Sequence, residues 1–184
     1  MIPLKLFQKL KNKEENLIYD LEKDFKNNTF RLALKLYSEI GSSILLLVAI
    51  GILGIIYGFQ IFILILLVYL FQLVLIETIK YVFNRARPKT YKNDSILGFR
   101  MTSGSFPSGH TSNAFTMAFL LANVFKTDIY TTSMLFIIAG VVGITRIFLG
   151  KHFLVDVVGG AILGLVFSTV GLALYVAGYG ILFQ

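Results

Sequence analysis

Residues 61–83 read IFILILLVYLFQLVLIETIKYVF, an apolar run whose only charges, Glu77 and Lys80, fall near its end. A helix rises ~1.5 Å per residue, so about 20 apolar residues cross a ~30 Å hydrocarbon core, and this run is long enough. Further apolar stretches lie at 40–58, 112–125, 131–148 and 154–182; the stretch at 112–125 is short unless it begins near Ser108. In hydrocarbon a backbone must pair within its own segment, and the alternation of a barrel strand is absent, so these runs imply helices. The expected fold is therefore all-α, an integral membrane helical bundle of about five transmembrane helices. Gly140 and Gly143 in the fourth run, with Gly159, Gly160 and Gly164 in the fifth, are expected to let helix backbones approach closely.

Upstream, residues 3–38 mix charges with Leu17, Ile18, Leu21, Phe25, Phe30, Leu32, Leu34 and Tyr37 in spacings that partly fit one helical face. One or two interfacial amphipathic helices, broken at Asn27-Asn28, fit this pattern, as does a solvated cap or dimer surface. No apolar run of signal length precedes the charged stretch from Lys9 to Glu15, so a cleavable signal peptide is not expected. The chain divides into an N-terminal interfacial segment, 1–38, and a transmembrane domain, 39–184.

Composition narrows the function. Among 184 residues, 56% are hydrophobic and 15% charged, with mean hydropathy +0.77, which excludes an ordinary soluble domain. The net charge of +7 sits largely beside apolar spans, where anionic headgroups or an anionic substrate are expected and nucleic acid is not. With no cysteine and two histidines, disulfides, thiolate zinc sites and cysteine nucleophiles are excluded, and no metal site is expected.

Five spans would gather the hydrophilic connections 84–111 and 146–151 at one membrane face, and three clusters lie there. Lys80 is followed by Arg85, Arg87 and Pro88; positions 80 and 87, almost two turns apart, would share a helix face ending before Pro88. An Arg fork with a Lys point charge suits a tetrahedral dianion, although snorkelling cations at a helix end give the same pattern. Ser105-Phe106-Pro107-Ser108-Gly109-His110 leads into an apolar span. Ser108, Gly109 and His110 would thus sit at a helix N-terminus, an anion site by its free N–H groups, or simply an N-cap with an incidental histidine. Finally Thr145-Arg146 precedes His152 and Asp156, four apart, so that on one helix face the carboxylate would hold one ring nitrogen and leave the other nucleophilic.

Together the three clusters resemble the signature of the type 2 phosphatidic acid phosphatase superfamily. Lys, six residues, Arg-Pro is Lys80 to Pro88; Pro-Ser-Gly-His is Pro107 to His110; Ser-Arg, five residues, His, three residues, Asp is Thr145 to Asp156, with Thr145 in place of Ser. The resemblance implies a hydrolase in which His152 attacks phosphorus, Asp156 orients it, and His110 protonates the leaving oxygen and later activates water. Lys80, Arg87, Ser108, Gly109 and Arg146 would cradle the phosphoryl oxygens, with neither metal nor cofactor. Vanadium-dependent haloperoxidases share these motifs but are soluble, and glucose-6-phosphatase-like enzymes fit a short, lipid-lined bundle less well. A non-catalytic lipid-phosphate binding or transport protein would need the cations but not His152 and Asp156.

The implied substrate is a membrane lipid phosphate or pyrophosphate: phosphatidylglycerophosphate, undecaprenyl pyrophosphate, phosphatidic acid or the 1-phosphate of lipid A. Glu77 is expected to pair with Lys80, while Tyr91, Phe99 and Arg100 belong to a long loop that is expected to be solvated, contact with a headgroup being the alternative. The positive-inside rule would turn the catalytic face to the cytoplasm. Family precedent turns it outward, and three of the cations are accounted for by chemistry, so the expectation leans to the periplasmic face of a bacterial inner membrane.

Overall fold

A computed structural model describes residues 12–21, 28–91 and 104–182; Phe25, Phe99 and Arg100 lie outside them. The described residues form helices and connections without strands: α1 (12–21), α2 (Asn28–Ser38), a 3-10 turn (Glu39–Gly41), α3 (Ser43–Tyr57), α4 (Phe59–Phe83), α5 (Gly109–Val124), α6 (Ile129–Phe148) and α7 (Leu154–Leu182). Local chemistry sets the boundaries. Ser42 accepts the Leu45 N–H at the start of α3, and Asp128 accepts those of Tyr130 and Thr131 at the start of α6. A single residue, Gly58 at φ 96°, reverses the chain between α3 and α4, a backbone region that only glycine enters freely.

Helices α4, α6 and α7 are each long and apolar enough to cross a membrane, and α2 with its 3-10 turn and α3 form a pair bent by 54° that passes the same test together. Three helices thus qualify singly and the bent pair as a fourth, where about five transmembrane helices are expected from the sequence. Helix α5 has 16 residues, about 24 Å, and carries Thr111, Ser112, Asn113 and Thr116 buried in its first half. It can be short and polar because it packs against α3, α4, α6, α7 and the 3-10 turn. The lipid-compatible side chains, such as Ile55, Val74, Ile137 and Leu174, are exposed on the helices around it.

The contact between α5 and α7 depends on small residues. A Cβ added at Gly164 would stand 2.6 Å from the Ser112 carbonyl oxygen, and one at Gly160 would stand 2.6 Å from that of Ser108. Gly143 is closed in by Val157 of α7 and Thr111 of α5, as the sequence suggests, whereas Gly159 makes room for the ring of Phe106 in the loop before α5 and not for a helix backbone. Gly140 departs from the expectation: nothing lies within 4 Å of where its Cβ would stand, so this glycine is not at a close helix contact. Polar ties supplement the packing. Gln72, fully buried on α4, donates to Ser112 Oγ at 2.8 Å, and Asn113 donates to the Gly41 carbonyl at 3.0 Å. Interhelical bonds of this kind contribute only about 0.6 kcal/mol each in membranes, so they select the register while close packing supplies most of the association.

Candidate active site

Three chain segments converge where α4 ends and α5 and α7 begin. Helix α4 stops at Phe83, capped by Asn84 in the left-handed conformation (φ 37°), so Arg85 and Arg87 lie on a non-helical segment beyond it. This corrects the expectation that Lys80 and Arg87 share one helix face: the Asn84 cap stops the helix before Pro88 can act. Lys80 remains on the last turn of α4, buried, with its ammonium 2.5 Å from Glu77 as expected. Arg87 reaches the site from the loop, donating to the Lys151 carbonyl at 3.4 Å and stacking on Tyr91 with its guanidinium carbon 4.5 Å from the ring centroid.

Ser108 is the N-cap of α5, yet its side chain makes no capping bond; its Oγ instead accepts from Thr111 Oγ1 at 2.9 Å. The first amides of α5 therefore keep their capacity for an anion. A Cβ at Gly109 would lie 3.0 Å from Lys80 Nζ, so the missing side chain lets the ammonium sit against this helix terminus. His110 follows, within electrostatic reach of Arg146, His152, Lys151 and Lys80. Arg146, buried at the end of α6, donates to Ser38 Oγ at 2.5 Å. Its neighbour Thr145 turns its hydroxyl back to the Val142 carbonyl at 2.6 Å, so the residue that departs from the family pattern spends its hydroxyl on its own helix.

The third cluster is arranged differently from the helical face read from its spacing. Helix α7 begins at Leu154, after His152, which lies in the turn before it. His152 Nδ1 is 2.9 Å from the Ser105 carbonyl oxygen and 3.7 Å from Asp156 Oδ2. Facing a carbonyl oxygen, Nδ1 carries the proton, and Nε2 is left with the lone pair. The orienting acceptor of the ring is thus a backbone oxygen from the loop before α5, with the Asp156 charge just beyond hydrogen-bond range.

Asp156, fully buried, is itself the hub of the arrangement. Its carboxylate receives Arg85 Nη1 at 2.7 Å, the Ser105 hydroxyl, and the Phe153 N–H at 2.9 Å, while its backbone oxygen receives the Ser108 N–H at 2.9 Å. One residue in the first turn of α7 thereby ties together the α4–α5 loop, the start of α5 and its own helix end. A buried carboxylate in this setting requires such partners. Burial is the largest influence on His152 and holds its imidazole well below the ordinary value; Asp156 opposes this, while the Arg146 and Arg87 charges reinforce it. The ring is accordingly neutral around pH 7.

All eight residues singled out from the sequence, Lys80, Arg87, Ser108, Gly109, His110, Arg146, His152 and Asp156, come to this end of the bundle. Arg85, Ser105 and Ser38 were not singled out. Arg85 was visible as a cation of the first cluster and Ser105 as the start of the second, but their pairing with Asp156 spans 71 and 51 positions. No spacing rule reaches that far.

With this geometry in place, comparisons with known proteins give a consistent result. The profile of the PAP2 superfamily matches residues 44–178. The lipid A 4′-phosphatase of Porphyromonas gingivalis is 30% identical over 89 residues, covering 46% of this chain, and the phosphatidylglycerophosphatase B of Bacillus subtilis is 44% identical over 72 residues, covering 35%. The alignments span 37% and 36% of the lengths of these two relatives. Among solved structures, the transmembrane PAP2-type phosphatidylglycerolphosphate phosphatase of Bacillus subtilis superposes with a TM-score of 0.75 at 26% identity, covering 95% of this chain and 88% of that one. An all-helical bundle with membrane-crossing helices, matched by the family profile over most of its length, is an integral membrane protein that belongs to the PAP2 superfamily.

Proposed function

We propose that this chain is a metal-independent phosphatase acting on a membrane lipid phosphomonoester or pyrophosphate through a phosphohistidine on His152. The observation that carries the proposal is the spent Nδ1 of a buried, neutral His152, which leaves Nε2 as a nucleophile beside Lys80, Arg87, Arg146 and the amides of α5. In the first step Nε2 attacks phosphorus, a P–N bond forms, and the P–O bond to the lipid breaks as His110 gives its proton to the leaving oxygen. In the second, His110 takes a proton from water, the new P–O bond forms, and the P–N bond breaks to release inorganic phosphate. Lys80, Arg87, Arg146, Ser108 Oγ and the Gly109 N–H balance charge on the non-bridging oxygens throughout. Asp156 counters the positive charge that the ring acquires on phosphorylation.

The two relatives, a lipid A 4′-phosphatase and a phosphatidylglycerophosphatase, support a phosphorylated membrane lipid as the substrate class, with phosphatidylglycerophosphate, undecaprenyl pyrophosphate, phosphatidic acid and lipid A as its members to compare. Phosphate release from these four lipids by detergent-solubilised protein, in EDTA, tests the proposal. Release that survives EDTA and is lost in His152→Ala is expected; release abolished by EDTA, or retained by the variant, overturns it.

The same reading includes five crossings by α3 to α7, an interfacial segment over residues 1–38, and a catalytic face on the periplasmic side of the inner membrane. The chain has no cysteine, so a single Lys89→Cys or Lys126→Cys is a unique label. In intact cells, a membrane-impermeant maleimide is expected to modify position 89 and spare position 126. The opposite pattern reverses the orientation.

A further inference from the structure

We infer that Glu14 on α1 is a positioning residue for the catalytic centre, holding Arg85 and the first turn of α7 so that Asp156 and His152 keep their places. This rests on the phosphatase reading for its kinetic consequence but on separate contacts for its geometry. Glu14 Oε1 accepts the Leu154 N–H at 2.7 Å, across 140 positions of sequence. The preceding amide, of Phe153, is taken by Asp156 Oδ2 at 2.9 Å. Two successive N–H groups at the start of α7 are therefore satisfied by two carboxylates, one from the helix itself and one from α1.

Arg85 links the same two carboxylates. Its Nη1 is 2.7 Å from Asp156 Oδ1 and its Nη2 is 4.0 Å from Glu14 Oε2. Taken alone, a partly exposed pair at 4.0 Å contributes little. Its significance lies in direction: the guanidinium is held from the outer side while its inner nitrogen holds the buried hub. The Arg85 guanidinium carbon also lies 4.6 Å from the Phe153 ring centroid, so its plane is restrained by the residue next to His152.

Helix α1 has two further anchors. Ile18 is 1% exposed, and its Cγ2 lies 3.7 Å from where a Cβ of Gly150 would stand. Glu15 pairs with Lys89 at 3.6 Å on the segment that carries Arg87. Gly150 and Leu154 each lie two positions from His152, so α1 touches the catalytic turn on both sides of the histidine.

The test measures steady-state kinetics on the full chain. Glu14→Ala is expected to lower kcat about tenfold with KM within roughly twofold of wild type, since a small displacement of a catalytic group acts on the chemical step. Glu14→Gln keeps an acceptor for the Leu154 N–H and loses the charge, and is expected to lower kcat about threefold. A kcat for Glu14→Ala within twofold of wild type, or a raised KM at unchanged kcat, overturns the inference. Two readouts do not depend on turnover. A water-soluble carbodiimide is expected to join Glu15 to Lys89 in wild type, detected as a linked peptide by mass spectrometry. Deuterium uptake at Leu154 is expected to quicken in Glu14→Ala. Absence of the linked peptide, or unchanged uptake, overturns the docking even if no tested lipid is hydrolysed; a wild type that forms the link without releasing phosphate refutes only the phosphatase reading.

Discussion

Asp128 and Asp156 both stand at the start of a long apolar helix, and they illustrate two uses of one local signal. Asp128 is exposed, and its carboxylate accepts from groups two and three residues on: the N–H groups of Tyr130 and Thr131 and the Thr131 hydroxyl. The bonds from Thr131 are the main reason its carboxyl lies below the usual range. Asp156 is fully buried and takes its partners from the α4–α5 loop as well as from its own turn. The first aspartate starts a helix. The second starts a helix and also fixes where a loop, a neighbouring helix and a histidine meet. Position along a helix is therefore insufficient to tell a helix cap from a structural hub; long-range partners distinguish the two.

Breaking the hub has the largest expected effect. Asp156→Ala is expected to lower phosphate release by roughly 10³-fold, measured per folded enzyme, because it removes the carboxylate proposed to counter charge on a phosphorylated His152 and takes from Arg85 and Ser105 their buried acceptor. Arg85→Met, which leaves the carboxylate in place without its cation, is expected to lower kcat by roughly 10- to 100-fold. A rate within twofold of wild type in either variant removes the contrast with Asp128.

The pH profile sharpens the comparison without mutation. Protonating His152 removes its lone pair, so activity falls as pH drops through its pKa. That pKa is depressed by burial and by the Arg146 and Arg87 charges against the opposing Asp156. Neutral His152 therefore persists to lower pH, and the acid limb of kcat/KM attributable to it is expected below the ordinary histidine value of about 6.5. An acid limb that moves upward in Asp156→Asn contradicts this sign, since removing the carboxylate lowers the pKa further.

Smaller effects are expected away from the hub. Gly164→Leu forces α7 from the Ser112 carbonyl and is expected to cost about 1–3 kcal/mol of stability, read by thermal unfolding in detergent. Asp128→Ala is expected to leave kcat unchanged and to lower the unfolding midpoint by roughly 2–4 °C, the loss of one exposed cap.

Much of this fold is readable from local chemistry. Apolar runs locate the helices, Ser108 and Pro107 mark the start of α5, and Glu77 with Lys80 is a pair within one turn. The motif residues are identifiable because their spacing is short and shared with a family. What spacing hides is topology. Asn84 is a recognisable left-handed cap, yet beside Arg87-Pro88 the proline draws attention to the wrong stop. The Ser105 carbonyl that orients His152 leaves no trace in side-chain identity, and Ser38 reaches Arg146 across 108 positions. Gly140 matches the pattern of its packed neighbours, yet nothing lies within 4 Å of where its Cβ would stand.

The brevity of α5 bears on how a lipid is handled. On the proposed topology, a helix of about 24 Å set from one boundary of a ~30 Å core ends roughly 6 Å short of the other. Its N-terminal amides and Lys80 would then meet a headgroup drawn slightly below the bilayer surface. Lifting acyl chains into water costs ~0.8 kcal/mol per methylene, whereas a sunken site leaves the chains in oil and asks only the phosphate to descend. The work of substrate capture is thereby transferred from extracting a tail to solvating an anion, which is what a cluster of buried cations is suited to do.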